Sequence, residues 1–294
     1  MLAREGVESN GAALEKTDKG KAQTASTRWR SRRHRRSGRL KRWQNLCIAI
    51  CLGLAWLSLG HASQAADDTK AKETVDHVAA LFSSKATTAT VDMQITKQEG
   101  KRTIPMQFWS LGQWDILVRV LIPSEDAGSA ILKVGYKTWY YLPKAKRTVE
   151  MPISMMMTSW MGGHFTLDDL VDQGNLTKNY DVTTSFTGDR DGAAVSEYTL
   201  TPKPNAPVVW GKILLEVRQS DQMPIWQHYY DENGKLVREL TFSDYKTVGG
   251  RLIPTQLVMR PLDQPGEQTM ITYKDVVFDA ALDENMFAMG KLKQ

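Results

Sequence analysis

Five methionines lie close together within residues 151–161, and their spacing raises the question of a metal site. Thioether sulfur is a soft ligand that suits Cu(I), so one interpretation is a copper site. Methionine is also an adaptable apolar residue, so core packing or an apolar surface facing a ligand fit the pattern as well. The aromatic and aliphatic neighbours favour the two apolar interpretations. The five residues are Met151, Met155, Met156, Met157 and Met161.

The remaining reactive residue types form no catalytic pattern. His77, His164 and His228 stand outside any Ser-His-Asp or HExxH arrangement, and the sequence has no GxSxG elbow or glycine-rich phosphate loop. Both cysteines, Cys47 and Cys51, fall in an N-terminal apolar run. We therefore expect no enzyme activity, no catalytic residue, no cofactor and no metal site.

The N-terminus has the order of a signal peptide. A basic run over residues 28–42 precedes the apolar run Leu46–Gly60, which is too short for the roughly 20 residues of a membrane-spanning helix. Small residues follow, and we expect cleavage after Ala65 and a periplasmic product, with an uncleaved anchor helix as the alternative. The predicted divisions are an extension or misassigned start at 1–27, a signal peptide at 28–65 and one folded domain at 66–294.

The net charge of +5 belongs to the N-terminal segment. Of the 38 Lys and Arg residues, 13 precede residue 66, as do 4 of the 33 Asp and Glu, which leaves 25 basic and 29 acidic side chains. A nucleic-acid-binding protein needs a basic face to neutralise phosphates. The acidic balance of the mature chain therefore excludes nucleic acid as a partner.

Hydrophobic spacing predicts one helix followed by many strands. Residues Thr69–Ser84 carry apolar side chains at helical spacing, and the period then changes to two. About eleven strands joined by short turns predict a mainly β (α+β) fold, with one strongly curved antiparallel sheet. Besides those near Val91 and Ile104, the strands are Trp114–Ile122, Ala130–Leu142, Arg147–Met151, Tyr180–Thr187, Val195–Thr201, Lys212–Arg218, Ile225–Tyr230, Leu236–Asp244, Thr255–Arg260 and Thr269–Phe278.

The alternation breaks between Met155 and Gln173, where two adjacent glycines interrupt helix-like apolar spacing. Thr166 is placed to cap a short helix with Asp168 and Asp169 in its first turn, where they complement the helix dipole. We interpret this segment as a helical lid across the sheet. So large a sheet with so little helix to cover it leaves apolar surface, which commonly marks a ligand groove.

Two stretches resemble the outer membrane lipoprotein-sorting proteins, the family of the carriers LolA and LolB. Trp139 to Pro143 is similar to the Tyr-Leu-Pro strand of that family, and Trp160 to Leu170 is similar to its segment M-G-[GS]-x-F-[ST]-x-x-D-L. The resemblance extends over roughly residues 75–294. Gly162, Gly163 and Asp169 match the lid motif, as do Phe165 and Leu170.

The resemblance implies a half-closed antiparallel β-barrel around a helical lid, with a cavity that receives acyl chains of a lipid or lipoprotein. It further implies an RND-type exporter as partner, transient membrane contact and a monomer. The family's lid-holding arginine has no counterpart that the sequence alone identifies. The predicted cavity and lid residues are Met156, Trp160, Met161, Phe165, Leu170, Trp139, Tyr141 and Trp109.

Two other classes of function remain open on the sequence. The same half-barrel fits a periplasmic sensor or protein-interaction module, which a copurified lipid would argue against. A Cu(I)-binding protein is the other, and it requires tight metal binding that disappears when Met155, Met156 and Met157 are replaced by leucine.

Overall fold

Alternating burial produces the strands of this protein. In the first strand, Val91, Met93 and Ile95 are buried whereas Asp92 and Gln94 are partly exposed. Successive side chains of a strand point to opposite faces, so one face of each strand packs against the core and the other meets solvent. The period of two in the sequence is therefore the pattern of a half-buried sheet.

The computed structural model describes residues 67–171 and 176–293. The predicted N-terminal extension, the signal peptide and the Gln173 end of the predicted lid lie outside the described residues. The strands are β1 Ala86–Lys97, β2 Gly100–Leu111, β3 Asp115–Val120, β4 Ala130–Val134, β5 Lys137–Leu142, β6 Arg147–Met151, β7 Tyr180–Arg190, β8 Ala193–Pro202, β9 Lys212–Arg218, β10 Pro224–Tyr230, β11 Leu236–Val248, β12 Arg251–Pro261 and β13 Gln268–Phe278.

All thirteen described strands form one antiparallel sheet in the order β6-β5-β4-β3-β2-β1-β13-β12-β11-β10-β9-β8-β7. Two meanders, β1–β6 and β7–β13, are joined by pairing of the first strand with the last, for example Met93 with Ile271. The connection from β6 to β7 must therefore run from one edge of the sheet to the other. The predicted half-barrel fold is confirmed, and the lid belongs to this edge-to-edge connection.

The structure has thirteen described strands where about eleven are predicted, and one of the additional strands has a local reason. Ala130–Leu142, predicted as one strand, is the hairpin β4–β5, in which Val134 pairs with Lys137. Gly135 has a φ of +58° in the turn between them, a conformation that L-residues rarely adopt. The apolar run continues across this turn and hides it in the sequence.

Helix α1 (67–79) packs its apolar residues, among them Val75 and Val78, on one face of the sheet, which we call the inner face. Two short helices follow later, α2 (Leu167–Val171) and α3 (Leu176–Asn179). On the outer face, a second apolar cluster around Leu117 and Leu132 lies under the C-terminal 3₁₀ turns, whose Phe287 and Leu292 are buried. Within the described residues, no helix is long and apolar enough to cross a membrane.

Candidate functional site

A cavity of about 570 Å³ lies on the inner face of the sheet. Its floor is the apolar inner row of β9–β12, which includes Ile213, Leu240, Leu257 and Met259. Helix α1, the segment after β6, α3 and the loop before β9 surround it. The volume falls in the range of about 300–1,000 Å³ that is usual for small-molecule sites.

The lid, defined here as residues 152–171, carries large buried side chains. Trp160 is 2% exposed and Phe165 is 0% exposed, and both belong to the inner apolar cluster. The Trp160 ring meets Tyr140 of β5 edge to face, with ring centroids 5.1 Å apart. The lid is therefore packed as core in this structure, with Phe165 also contributing to the cavity wall.

The two adjacent glycines of the lid have separate structural reasons. Gly162 has a φ of +72°, the left-handed region that glycine adopts without strain. At Gly163 a Cβ atom would lie 3.2 Å from Thr269 Oγ1 and 3.3 Å from Ile95 Cδ1. The Gly-Gly pair thus makes a tight turn and then lets the lid backbone approach the sheet.

Helix α2 begins with a capping box. The Asp169 amide donates to Thr166 Oγ1 at 3.1 Å, and Asp169 Oδ2 accepts from the Thr166 amide at 2.7 Å. Each side chain thereby satisfies a backbone group of the first helical turn. The predicted cap is confirmed.

The same carboxylate is bound by an arginine from the sheet. Arg238 of β11 donates from both terminal nitrogens to the two oxygens of Asp169, each at 2.7 Å. The two side chains are only 7% and 12% exposed. This bidentate pair joins the lid to the inner face of the sheet.

Aromatic rings enclose the cation of this pair. The guanidinium carbon of Arg238 lies 4.3 Å from the ring centroids of Trp210 and Tyr229. Burial by itself would lower the pKa of Arg238, but the Asp169 carboxylate outweighs that effect and the pKa is raised. Arg238 therefore stays protonated.

Two further contacts hold the lid. The buried Lys133 of β4 donates from Nζ to the Val171 carbonyl at 2.8 Å. The backbone amide of His164 donates to Thr269 Oγ1 at 2.9 Å, and its Nε2 lies 3.4 Å from Glu267 Oε2. The C-terminal end of the lid and its middle, at His164, are thus attached to the sheet.

The predicted methionines are apolar wall residues and surface residues. Met151, Met156 and Met157 line the cavity, and Met155 is exposed. The sulfur of Met161 lies 4.0 Å from the hydroxyl of Tyr140. Among the residues that the structure describes, no group of three or more His, Cys, Asp or Glu side chains is placed to hold a metal.

The structure brings part of the predicted set together at the cavity. Met156 and Phe165 line it, and Leu170 lines a smaller cavity of about 80 Å³ on the other side of Phe82. Trp160 and Met161 pack in the adjoining inner cluster.

Three predicted residues lie on the opposite side of the sheet. Trp109, Trp139 and Tyr141 pack in the outer cluster under the C-terminal turns. Between the last two, Tyr140 belongs to the inner cluster, so the alternation of β5 assigns its neighbours to the outer face. The prediction that these three residues line the cavity is therefore wrong, because the period of a strand does not say which of its faces is inward.

The mouth of the cavity is bordered by exposed apolar side chains. Tyr136 is 81% exposed and Ile153 is 70% exposed, and Trp114 and Val209 are exposed as well. All four line the cavity, and we call them the rim. Lys178 places Nζ 5.0 and 4.9 Å from the rings of Trp114 and Tyr136.

Sequence reasoning missed Arg238 and Trp210. Arg238 shares its strand face with Leu240 and Phe242, which line the cavity. A charged residue at an inward position of an alternating strand needs a buried partner. That signal was available in the sequence, although the identity of the partner was not.

A family described as "Uncharacterized protein" has a model that matches residues 112–294 of this chain. No curated protein sequence matches the chain.

Three solved structures share the fold. An outer membrane lipoprotein-sorting protein domain from Vibrio parahaemolyticus is 22% identical, with a TM-score of 0.68 over 77% of this chain and 100% of that one. A DUF1329 family protein from Desulfovibrio piger is 19% identical, with a TM-score of 0.69 over 77% and 99%. A LolA superfamily protein from Nitrosomonas europaea is 20% identical, with a TM-score of 0.65 over 76% and 99%. At these identities the likeness establishes the fold.

Proposed function

Because the chain belongs to the family that matches residues 112–294 and has the fold of the outer membrane lipoprotein-sorting proteins, we propose that it is a non-enzymatic periplasmic carrier. It binds the acyl chains of a lipid or lipoprotein and shuttles them between the inner and outer membranes. The observation that carries the proposal is the apolar cavity between the sheet and the lid.

The cavity buries the apolar surface of an acyl chain that would otherwise be exposed to water when the chain leaves a membrane. Burying an acyl chain contributes about 0.8 kcal/mol per methylene, so a sixteen-carbon chain resists extraction by on the order of 10 kcal/mol or more. The floor of β9–β12 and the lid residues Met156 and Phe165 supply apolar contacts that offset this cost. Methionine side chains adapt to chains of different shape and support later release.

Loading requires the lid to move at least locally. The Arg238–Asp169 pair and the Lys133 hydrogen bond hold the lid against the sheet. We propose that these contacts keep the apolar wall covered in the empty protein and break as the chain enters. A ligand drives such a change only by binding the open state more tightly than the closed one.

The rim is the proposed site of transient membrane contact. Aromatic rings beside a lysine, as at Tyr136, Trp114 and Lys178, are the side chains that favour the interface between water and lipid. A chain leaving the bilayer there would pass from lipid to cavity with little exposure to water.

Native mass spectrometry with lipid extraction tests the carrier proposal. The protein is purified gently from the envelope of cells that express the full chain. We expect a stoichiometric ligand that contains an acyl chain. An apo mass that persists after incubation with envelope lipids would move the assignment to a protein-interaction module.

Two adjacent methionines provide a matched pair of variants. Met156 lines the cavity, whereas Met155 does not line it and is exposed. Met156→Asp should reduce the lipid-bound fraction about tenfold or more, because a charge in an apolar site is costly. Met155→Asp should leave that fraction unchanged. Equal retention by both variants would contradict a chain in this cavity.

The localisation and the partners of the carrier are also proposals. Cleavage after Ala65 predicts a mature N-terminus at Ala66, which N-terminal sequencing of the periplasmic protein would detect. An RND-type exporter as partner predicts that the two proteins cross-link in cells. A monomer predicts a single species in light scattering.

A further inference from the structure

The guanidinium of Arg238 has hydrogen-bonding capacity that Asp169 does not use. Its two terminal nitrogens bind Asp169. Its Nε is buried, and no described residue accepts a hydrogen bond from it. A buried guanidinium with an unused donor is adapted to bind an anion in more than one arrangement.

This cation lies directly behind the cavity wall. Asp169, Trp210 and Tyr229, which contact it on three sides, all line the cavity. The rest of the nearby floor is largely apolar, with Ile213 and Leu240 among its residues. The cavity is therefore amphipathic: its lining is mostly apolar, and its charged lining residues are Asp169, the neighbouring Asp168, Lys133 and Lys178.

We propose that the ligand is an amphiphile with an anionic head group, and that its carboxylate or phosphate replaces Asp169 on Arg238. This inference rests on the proposed carrier function and adds the chemical class of the ligand. A carboxylate or phosphate matches the bidentate face of a guanidinium as the aspartate does, so Arg238 stays paired after the exchange. The displaced Asp169 carboxylate keeps its contacts with Thr166 and must reach solvent as the lid moves.

The exchange links recognition to lid opening. Asp169 belongs to the capping box of α2 with Thr166, and its pair with Arg238 is a direct link between α2 and the sheet. A head group that takes Arg238 releases this link. A neutral head group cannot balance the charge of Arg238 in place of Asp169, so it leaves the link intact and binds less tightly than an anionic one.

Three twelve-carbon ligands test the proposal: dodecanoate, dodecyl phosphate and the neutral dodecanol. Their dissociation constants are measured by isothermal titration calorimetry below the concentrations at which they form micelles, on delipidated protein. We expect at least one anionic ligand to bind with an affinity about tenfold or more above that of dodecanol. Comparison of the two anions distinguishes a carboxylate from a phosphate head group.

Two variants make the test specific. Asp169→Asn removes the competing carboxylate, so the preference for the anion should increase beyond that of the wild type. The double variant Arg238→Met with Asp169→Leu replaces the pair by apolar side chains, an exchange that proteins often tolerate. In this variant the preference should fall to about one.

The outcomes separate the two proposals. If dodecanol and the anions bind the wild-type protein equally, the head-group inference is wrong and the carrier function stands. If the preference for the anionic ligand persists in the double variant, Arg238 is not the group that recognises the head group. If none of the three ligands binds, the carrier proposal itself fails.

Discussion

Breaking the Arg238–Asp169 pair from either side should destabilise the protein strongly. The side chains are 7% and 12% exposed, so the pair belongs to the buried class. Removing one partner of such a pair costs about 3–5 kcal/mol, because the other charge is left buried without compensation. We expect a large fall in the free energy of unfolding from each single variant.

The two sides should differ, and the structure gives the order. After Arg238→Met, Asp169 still accepts from the amide and hydroxyl of Thr166, so the cost should be about 3 kcal/mol. After Asp169→Asn, Arg238 loses the carboxylate that balances its charge, so the cost should be about 5 kcal/mol. For a domain of this size, 1 kcal/mol lowers the melting temperature by about 2–4 °C.

Urea unfolding followed by tryptophan fluorescence measures these free energies. The exposed pair of Lys72 and Asp76, 2.9 Å apart, supplies the control, and Lys72→Met should cost less than about 1 kcal/mol. The double variant Arg238→Met with Asp169→Leu should cost less than Arg238→Met and Asp169→Leu measured singly and added together. Strict additivity, or single variants as mild as Lys72→Met, would refute the reasoning.

Two other predictions concern the rim and the outer face. Ile153→Ser at the rim should slow lipid transfer from vesicles several-fold without changing the affinity for lipid. The control Ile122→Ser changes a residue that is 81% exposed and does not line the cavity, and it should leave the transfer rate unchanged. Equal transfer rates for the two variants would exclude the rim as the site of membrane contact. On the outer face, burial lowers the pKa of His228 against the opposing effect of Glu239 and other carboxylates. Below about pH 6.5 the unfolded chain therefore binds the proton more readily, so stability is present above that pH and is lost as the pH falls through the folded pKa. His228→Asn should flatten this part of the stability profile, and an unchanged profile would assign the pH dependence to other groups.

Much of the fold was predictable because its determinants are local. The period of two along β1 and the capping residues Thr166 and Asp169 act on neighbours in the sequence, and both are confirmed. The two strands within Ala130–Leu142 were merged because both are apolar, and only the turn at Gly135 separates them.

The site was less predictable because it depends on contacts between distant residues. Met156 and Phe165 were found from the composition of the lid, and both line the cavity. Trp139 and Tyr141 were placed on the wrong face, because strand periodicity defines two faces without saying which one is covered. The covering helix decides that question, and it packs from far away in the sequence.

The sequence by itself determined a strand-rich chain, interrupted by one glycine-containing lid and preceded by one amphipathic helix. Hydrophobic periodicity and capping chemistry are properties of short segments, and a sequence displays them directly. Only the tertiary structure decided that β1 pairs with β13, that Arg238 reaches Asp169 across 69 positions of the chain, and that the inner face encloses a cavity. These features depend on the register of the folded sheet, and a shift of one residue would turn Arg238 away from the lid.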